Sequence, residues 1–208
     1  MAYRKDAGYT YMEVRSLIRI SEGRGSLFTG GGAHGHASAQ HQAINNPGLI
    51  GRLKMLPVAS AFKDTAATNF GGTLKTEDQA FLLTEILNSK LGRAALQAFD
   101  TAAGGGISRL SICYLVGNTS AFSLREARLQ IPAGVSKNAA KMNLAKYGVV
   151  DSSTPMEQIL SVFDSGYPDL QIVTCYPGSQ ADVTAYGNHG GYKIETVGGP
   201  ETVVKWTA

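Results

Sequence analysis

The stretch Gly32–Gln42, GAHGHASAQHQ, holds His34, His36 and His41, three of the chain's 4 histidines. An unperturbed imidazole titrates at about 6.5, so it can take and give a proton near neutrality. Three chemistries compete for the group. The His34-Gly35-His36 spacing puts two imidazoles on one side of an extended segment, as metal ligands often are. Yet no Asp, Glu or Cys lies between Arg24 and Lys63 to complete a site locally. General acid–base catalysis is the second, and it needs an anion-stabilising group nearby; Arg52 is the candidate on the helix expected next. The third is a loop of surface histidines with no role, which suits any one of them taken alone. Gly30, Gly31 and Gly32 allow tight backbone turns ahead of the cluster. His189 is expected in a solvent-exposed GNHGG turn at 187–191, and Lys137, Lys141 and Lys146 on a solvated helix face.

The elements that must position these residues follow from periodicity. Residues 11–20, YMEVRSLIRI, carry apolar side chains at helical intervals. Asn46 and Pro47 open a second helix running to about Leu56. A longer helix begins after Thr76, with Thr76 and Gln79 spaced as a capping box. Its apolar stripe is Ala80, Leu83, Leu87 and Leu91, and Gly92 is expected to kink or divide it near its end. Residues 107–115 alternate as a strand, and a second strand ends near Ile131. Helices are expected over 137–147 and again from Thr154-Pro155, where Glu157 completes a cap. LQIVTCY, 170–176, is the clearest strand; a strict period of two puts Leu170, Ile172, Thr174 and Tyr176 on one face. Gln171, Val173 and Cys175 then share the other face. Three short strands are expected in the tail. The class is α+β: N-terminal and central helices packed on a twisted antiparallel sheet formed by the later strands.

A chain of 208 residues can bury one domain's core. Its net charge of +3 permits an anionic partner such as nucleic acid without requiring one. No apolar run is long enough to cross a bilayer, and MAYRKDAGYTYMEV lacks the apolar core of a secretory signal. Cys113 and Cys175 are expected as buried small hydrophobes, with a single disulfide between them the alternative.

Four pieces stand in a telling order. Gly35-His36 is followed five residues on by His41, and Arg52-Leu53 comes eleven residues later. Ser60-Ala61-Phe62 follows with Asp64 behind it, and Thr174-Cys175-Tyr176-Pro177 closes the series. This order resembles the bacterial ribonuclease A-like toxin domains at the C-termini of contact-dependent growth inhibition proteins and other polymorphic toxins. The resemblance covers about residues 30–70 and 165–177.

The toxin domain is expected over residues 1–177; the chain continues past Pro177, where such domains usually stop, and 178–208 reads from its own residues as a β-rich extension packed on the same domain. The resemblance implies a metal-independent endoribonuclease without cofactors, acting on RNA and in particular tRNA. In such enzymes the ribose 2′-hydroxyl attacks phosphorus, the 5′-oxygen leaves and a 2′,3′-cyclic phosphate remains. His41 is then the acid or base, and Arg52 the fixed charge whose planar fork spans two phosphorane oxygens. Thr174 bonds the phosphate or a base edge. Tyr176 donates to the leaving oxygen, stacks on a base, or merely caps the core. His36 is either the second acid–base group or a fastener of its own loop. Lys54 and Ser60 contact substrate. The implied partners are RNA and a cognate immunity protein. The domain is expected as a monomer with no membrane association, excised from a larger protein, delivered by secretion or cell contact, and active in the target cytoplasm. Two other readings stay open: a metal-dependent hydrolase using His34 and His36, and a non-catalytic binding module presenting the glycine-rich strands of 178–208.

Overall fold

Thr10 starts the first helix. Its hydroxyl accepts from the Glu13 N–H, and Glu13 reaches back to the Thr10 N–H, a reciprocal cap for α1 (Tyr11–Ser21). Val14, Leu17 and Ile18 form the stripe that α1 buries. The computed structural model describes residues 2–32, 34, 35, 37, 46–55, 65–69, 76–115, 125–151, 158–178 and 190–207. Next come α2 (Asn46–Arg52), continued by a short 3₁₀ turn over Leu53–Met55, and β1 (Thr65–Asn69). Two longer helices follow, α3 (Thr76–Asn88) and α4 (Lys90–Gly104). They divide at Ser89 and not, as expected, at Gly92. The Ser89 hydroxyl donates to the Ile86 carbonyl and accepts from the Gly92 N–H, capping α4. Gly92 serves the corner differently: a Cβ there would lie 1.9 Å from the Ile86 carbonyl oxygen, so only glycine lets the helices meet so closely.

The remaining elements are β2 (Ser108–Leu115), β3 (Arg125–Leu129), α5 (Lys137–Met142), α6 (Leu144–Tyr147), β4 (Gly148–Asp151), β5 (Gln158–Asp164), β6 (Gln171–Gly178), β7 (Gly191–Thr196) and β8 (Thr202–Lys205). The helix expected from Thr154-Pro155 gives way to a strand. Residues 152–157 lie outside the described residues, and Gln158–Asp164 pairs with β2 on one side and β6 on the other. The alternation of Ile159, Ser161 and Phe163, all buried, is what favours the pleat over the helix. The single helix expected over 137–147 is divided at Asn143. β1 and β4 are strands that periodicity did not announce.

The fold is α+β. β6-β5-β2-β7-β8 form an antiparallel five-stranded sheet, and β1-β3-β4 a three-stranded one. Phe99, Phe163, Leu83, Ile86, Leu110 and Ile112 lead the main core between α1, α3, α4 and the larger sheet. A smaller core joins Leu49 and Leu53 to Ala127, Leu129, Ala140 and Leu144. Cα atoms of β1 and β6 come within 8 Å, which sets the small sheet beside the edge of the large one. β7 and β8 extend the large sheet from β2, so described residues of the tail pair directly with the domain's central strands. Cys113 and Cys175 are buried and free, as expected; burial pushes their thiols up to about 11 and about 12. No helix among the described residues is long and apolar enough to cross a membrane.

Candidate active site

Strand β6 carries Thr174 and Tyr176, and its register with β5 decides where they face. Phe163 pairs with Ile172, but the next residue back, Val162, pairs with Thr174. Val173 is therefore an extra residue, a β-bulge that reverses the phase of everything after it. Ile172 and Cys175 pair with Phe163 and Ser161 and join the main core. Thr174, opposite Val162, is turned to the other face. The strict alternation expected for 170–176 is thus corrected: Ile172 does not share a face with Thr174, and Cys175 does not oppose Ile172. Positions 174 and 176 remain in phase, opposite Val162 and Leu160.

The Thr174 side chain is buried, and its Oγ1 has no hydrogen-bond partner among the described residues. An unsatisfied buried hydroxyl costs about 1–3 kcal/mol, so its persistence calls for a reason. Along the same row of the sheet lie Val162, Ser111 and Lys193. The Lys193 ammonium is 2.9 Å from both Glu195 and Glu201; burial lowers its pKa, but the two carboxylates outweigh this and the net shift is upward. Its charge is already matched within the protein.

β6 is an edge strand, and the histidine segment approaches it. A Cβ on Gly35 would lie 2.1 Å from the Ser21 carbonyl oxygen and 3.0 Å from that of Ile172, so this backbone can sit there only as glycine. The Ile172 N–H donates to the Ser21 hydroxyl at 2.9 Å. Ala37 is buried, and its carbonyl accepts from the Gln79 amide nitrogen at 2.9 Å. That same nitrogen donates to the Cys175 carbonyl at 3.1 Å. The residues on either side of His36 are therefore fixed near the strand that bears Thr174 and Tyr176.

A second anchor holds the approach to this segment. The loop after α1 returns on itself through the Gly23 N–H to the Gly35 carbonyl and the Gly35 N–H to the Arg24 carbonyl. Ser26 bonds the fully buried Asp164 carboxylate, which Arg109 also grips through Nε at 2.7 Å and a terminal nitrogen at 3.0 Å. The Arg109 guanidinium stacks on Phe28, 4.7 Å from the ring centre. Tyr167 and Gln171 donate to the carbonyls of Gly25 and Arg24.

His34 is exposed, with Nδ1 3.0 Å from the Gly23 carbonyl oxygen. His36, His41, Ser60, Asp64 and His189 lie outside the described residues. Arg52 ends α2; only its backbone is described, and the same holds for Tyr176 on β6. α2 packs on β1, which neighbours β6, so the Arg52 position is carried on elements leading to the same strand. Lys54 is exposed on the turn that follows. Among the described residues, no group of three or more His, Cys, Asp and Glu side chains gathers as a metal site would.

The described geometry brings together the flanks of His36, Thr174 and the position of Tyr176. Gln79 is the participant that reading for caps missed. Its signal was present: with Leu83 and Ile86 four and seven residues on, it is a polar residue on the buried helical face. No family model, curated protein or solved structure matches the chain.

Proposed function

We propose that the chain is a metal-independent endoribonuclease that cleaves RNA, tRNA foremost, by transphosphorylation to a 2′,3′-cyclic phosphate. In this reading it is the toxin domain of a larger protein delivered by secretion or cell contact, countered by a cognate immunity protein and working in the target cytoplasm. The observation that carries it is the Thr174 hydroxyl, without a partner among the described residues, on the strand against which Gly35 and Ala37 are fixed. A hydroxyl without a partner among the described residues keeps its donor and acceptor capacity, and in this reading substrate binding opens the strand's outer face so that it can bond a phosphate oxygen. The histidine segment beside it supplies groups able to move the two protons of transphosphorylation.

The roles divide as follows. His41 takes the 2′-hydroxyl proton or protonates the 5′-oxygen; His36 either takes the other part or holds the loop. Arg52 meets the phosphorane with charge that no working pH removes. Tyr176 faces the leaving oxygen or a base, and Lys54 and Ser60 contact the strand of RNA. His41→Ala and Arg52→Ala are each expected to abolish cleavage of total RNA in excess EDTA. A general acid–base group contributes about 10²–10⁴ in rate. Melting curves must show both variants folded. A folded His41→Ala cutting at the wild-type rate would remove the assignment.

A further inference from the structure

Gln79 stands out among the buried polar side chains for what its partners are. It donates from a helix to two carbonyls, and those carbonyls belong to the two separate pieces of chain that the ribonuclease reading joins. Ala37 follows His36 directly, and Cys175 lies between Thr174 and Tyr176. The amide nitrogen carries two hydrogens, one for each carbonyl, at 2.9 and 3.1 Å. Gln79 is fully buried, so water does not compete for these bonds. Its helix is itself fixed, because Ala80, Leu83, Ile86 and Leu87 are all buried in the main core. The tie therefore has a rigid base and two short arms.

We propose that Gln79 is a positioning residue, which sets the spacing between the histidine segment and the Thr174–Tyr176 pair through this double donation. The inference rests on the ribonuclease reading and deepens it. Gln79 touches no substrate. Its effect on catalysis comes through geometry: a displacement of about 1 Å at reacting groups can cost on the order of 10²-fold in rate. Apolar packing alone does not provide this, since apolar contacts are non-directional while an amide fixes each carbonyl in distance and angle.

The test compares wild type, Gln79→Met and Leu83→Ala by steady-state cleavage of a defined RNA, below the melting temperature of each. Methionine keeps the length and bulk of glutamine and removes both donors. Gln79→Met is expected to lower kcat about 10²-fold, with KM changed much less, because binding groups are intact and the reacting groups misplaced. Leu83→Ala, a core truncation one helical turn further on that leaves both Gln79 hydrogen bonds in place, is expected to lower stability and leave kcat near wild type. A folded Gln79→Met with wild-type kcat overturns the inference and leaves the ribonuclease reading standing. Equal losses of kcat in Gln79→Met and Leu83→Ala also overturn it, since a general loss of stability then suffices.

Two readouts do not depend on activity. In the wild type, scalar couplings across hydrogen bonds should link the Gln79 side-chain nitrogen to the carbonyl carbons of Ala37 and Cys175; their absence overturns the tie even if Gln79→Met fails to fold. In folded Gln79→Met, the Gly35 N–H, which bonds Arg24, should exchange with solvent about tenfold faster, a local opening of the kind exchange reports. Should the wild type leave RNA intact, the ribonuclease reading falls and the catalytic part of the inference with it. The couplings and exchange rates then judge the tie alone.

Discussion

At the scale of single residues, the role proposed for Thr174 sets function against stability. A strand threonine whose hydroxyl has no partner among the described residues gives away about 1–3 kcal/mol that an apolar residue of the same shape would keep. Thr174→Val is therefore expected to raise the melting temperature, by about 2–4 °C per kcal/mol recovered in a chain of this size. The same change removes the hydroxyl assigned to the phosphate, so RNA cleavage should fall. Calorimetry and a cleavage assay on one preparation check both halves. A variant that melts lower than wild type would mean the hydroxyl already has a partner. At this scale the sequence was partly legible. The T-x-Y-P order singled out Thr174 and Tyr176, but strict alternation could not reveal the bulge at Val173, which depends on how β5 pairs with β6. Local spacing reads Gln79 only as part of a cap, since its partners at Ala37 and Cys175 are 42 and 96 residues away.

At the scale of elements, local signals did best where one element satisfies itself. α1 has its stripe and its cap within a dozen residues, and both were legible or nearly so. Its cap makes a separate prediction. The Lys5 ammonium, then the Thr10 N–H and hydroxyl, hold the Glu13 carboxyl down at about 2 against its ordinary 4.5. A carboxyl depressed in the folded state stabilises above its unfolded pKa and loses that contribution as pH falls towards the folded one. Wild type should thus exceed Glu13→Gln in melting temperature at neutral pH, and the gap should close between about 4.5 and about 2. Glu13 keeps 41% of its side-chain surface in water, so screening holds the gap to about 1 kcal/mol or less. A gap independent of pH would deny the cap its charge. β5 was missed for the opposite reason. Thr154, Pro155 and Glu157 read as a helix start, whereas Ile159, Ser161 and Phe163 become a strand because β2 and β6 lie on either side. β1, with Thr-Ala-Ala-Thr-Asn, has no alternating pattern to read.

At the scale of the whole molecule, the proposed site draws on both cores. β6 and the helix that carries Gln79 contribute to the larger, while α2, which ends in Arg52, contributes to the smaller. The two are set side by side where β1 nears β6. The buried Asp164–Arg109–Ser26 cluster ties the loop leading to the histidines to the far ends of β2 and β5. Such long-range joins are invisible to periodicity, which is why the class and the main helices were legible and the pairing of sheets was not. The net charge of +3 suits an RNA substrate but does not select one. The most direct measurement is the chemistry of the ends left on total RNA incubated with the wild-type protein in excess EDTA. Fragments with 2′,3′-cyclic phosphate and 5′-hydroxyl ends are expected. Intact RNA, or cuts that appear only when a divalent metal is restored, would contradict a metal-free transphosphorylation at this site.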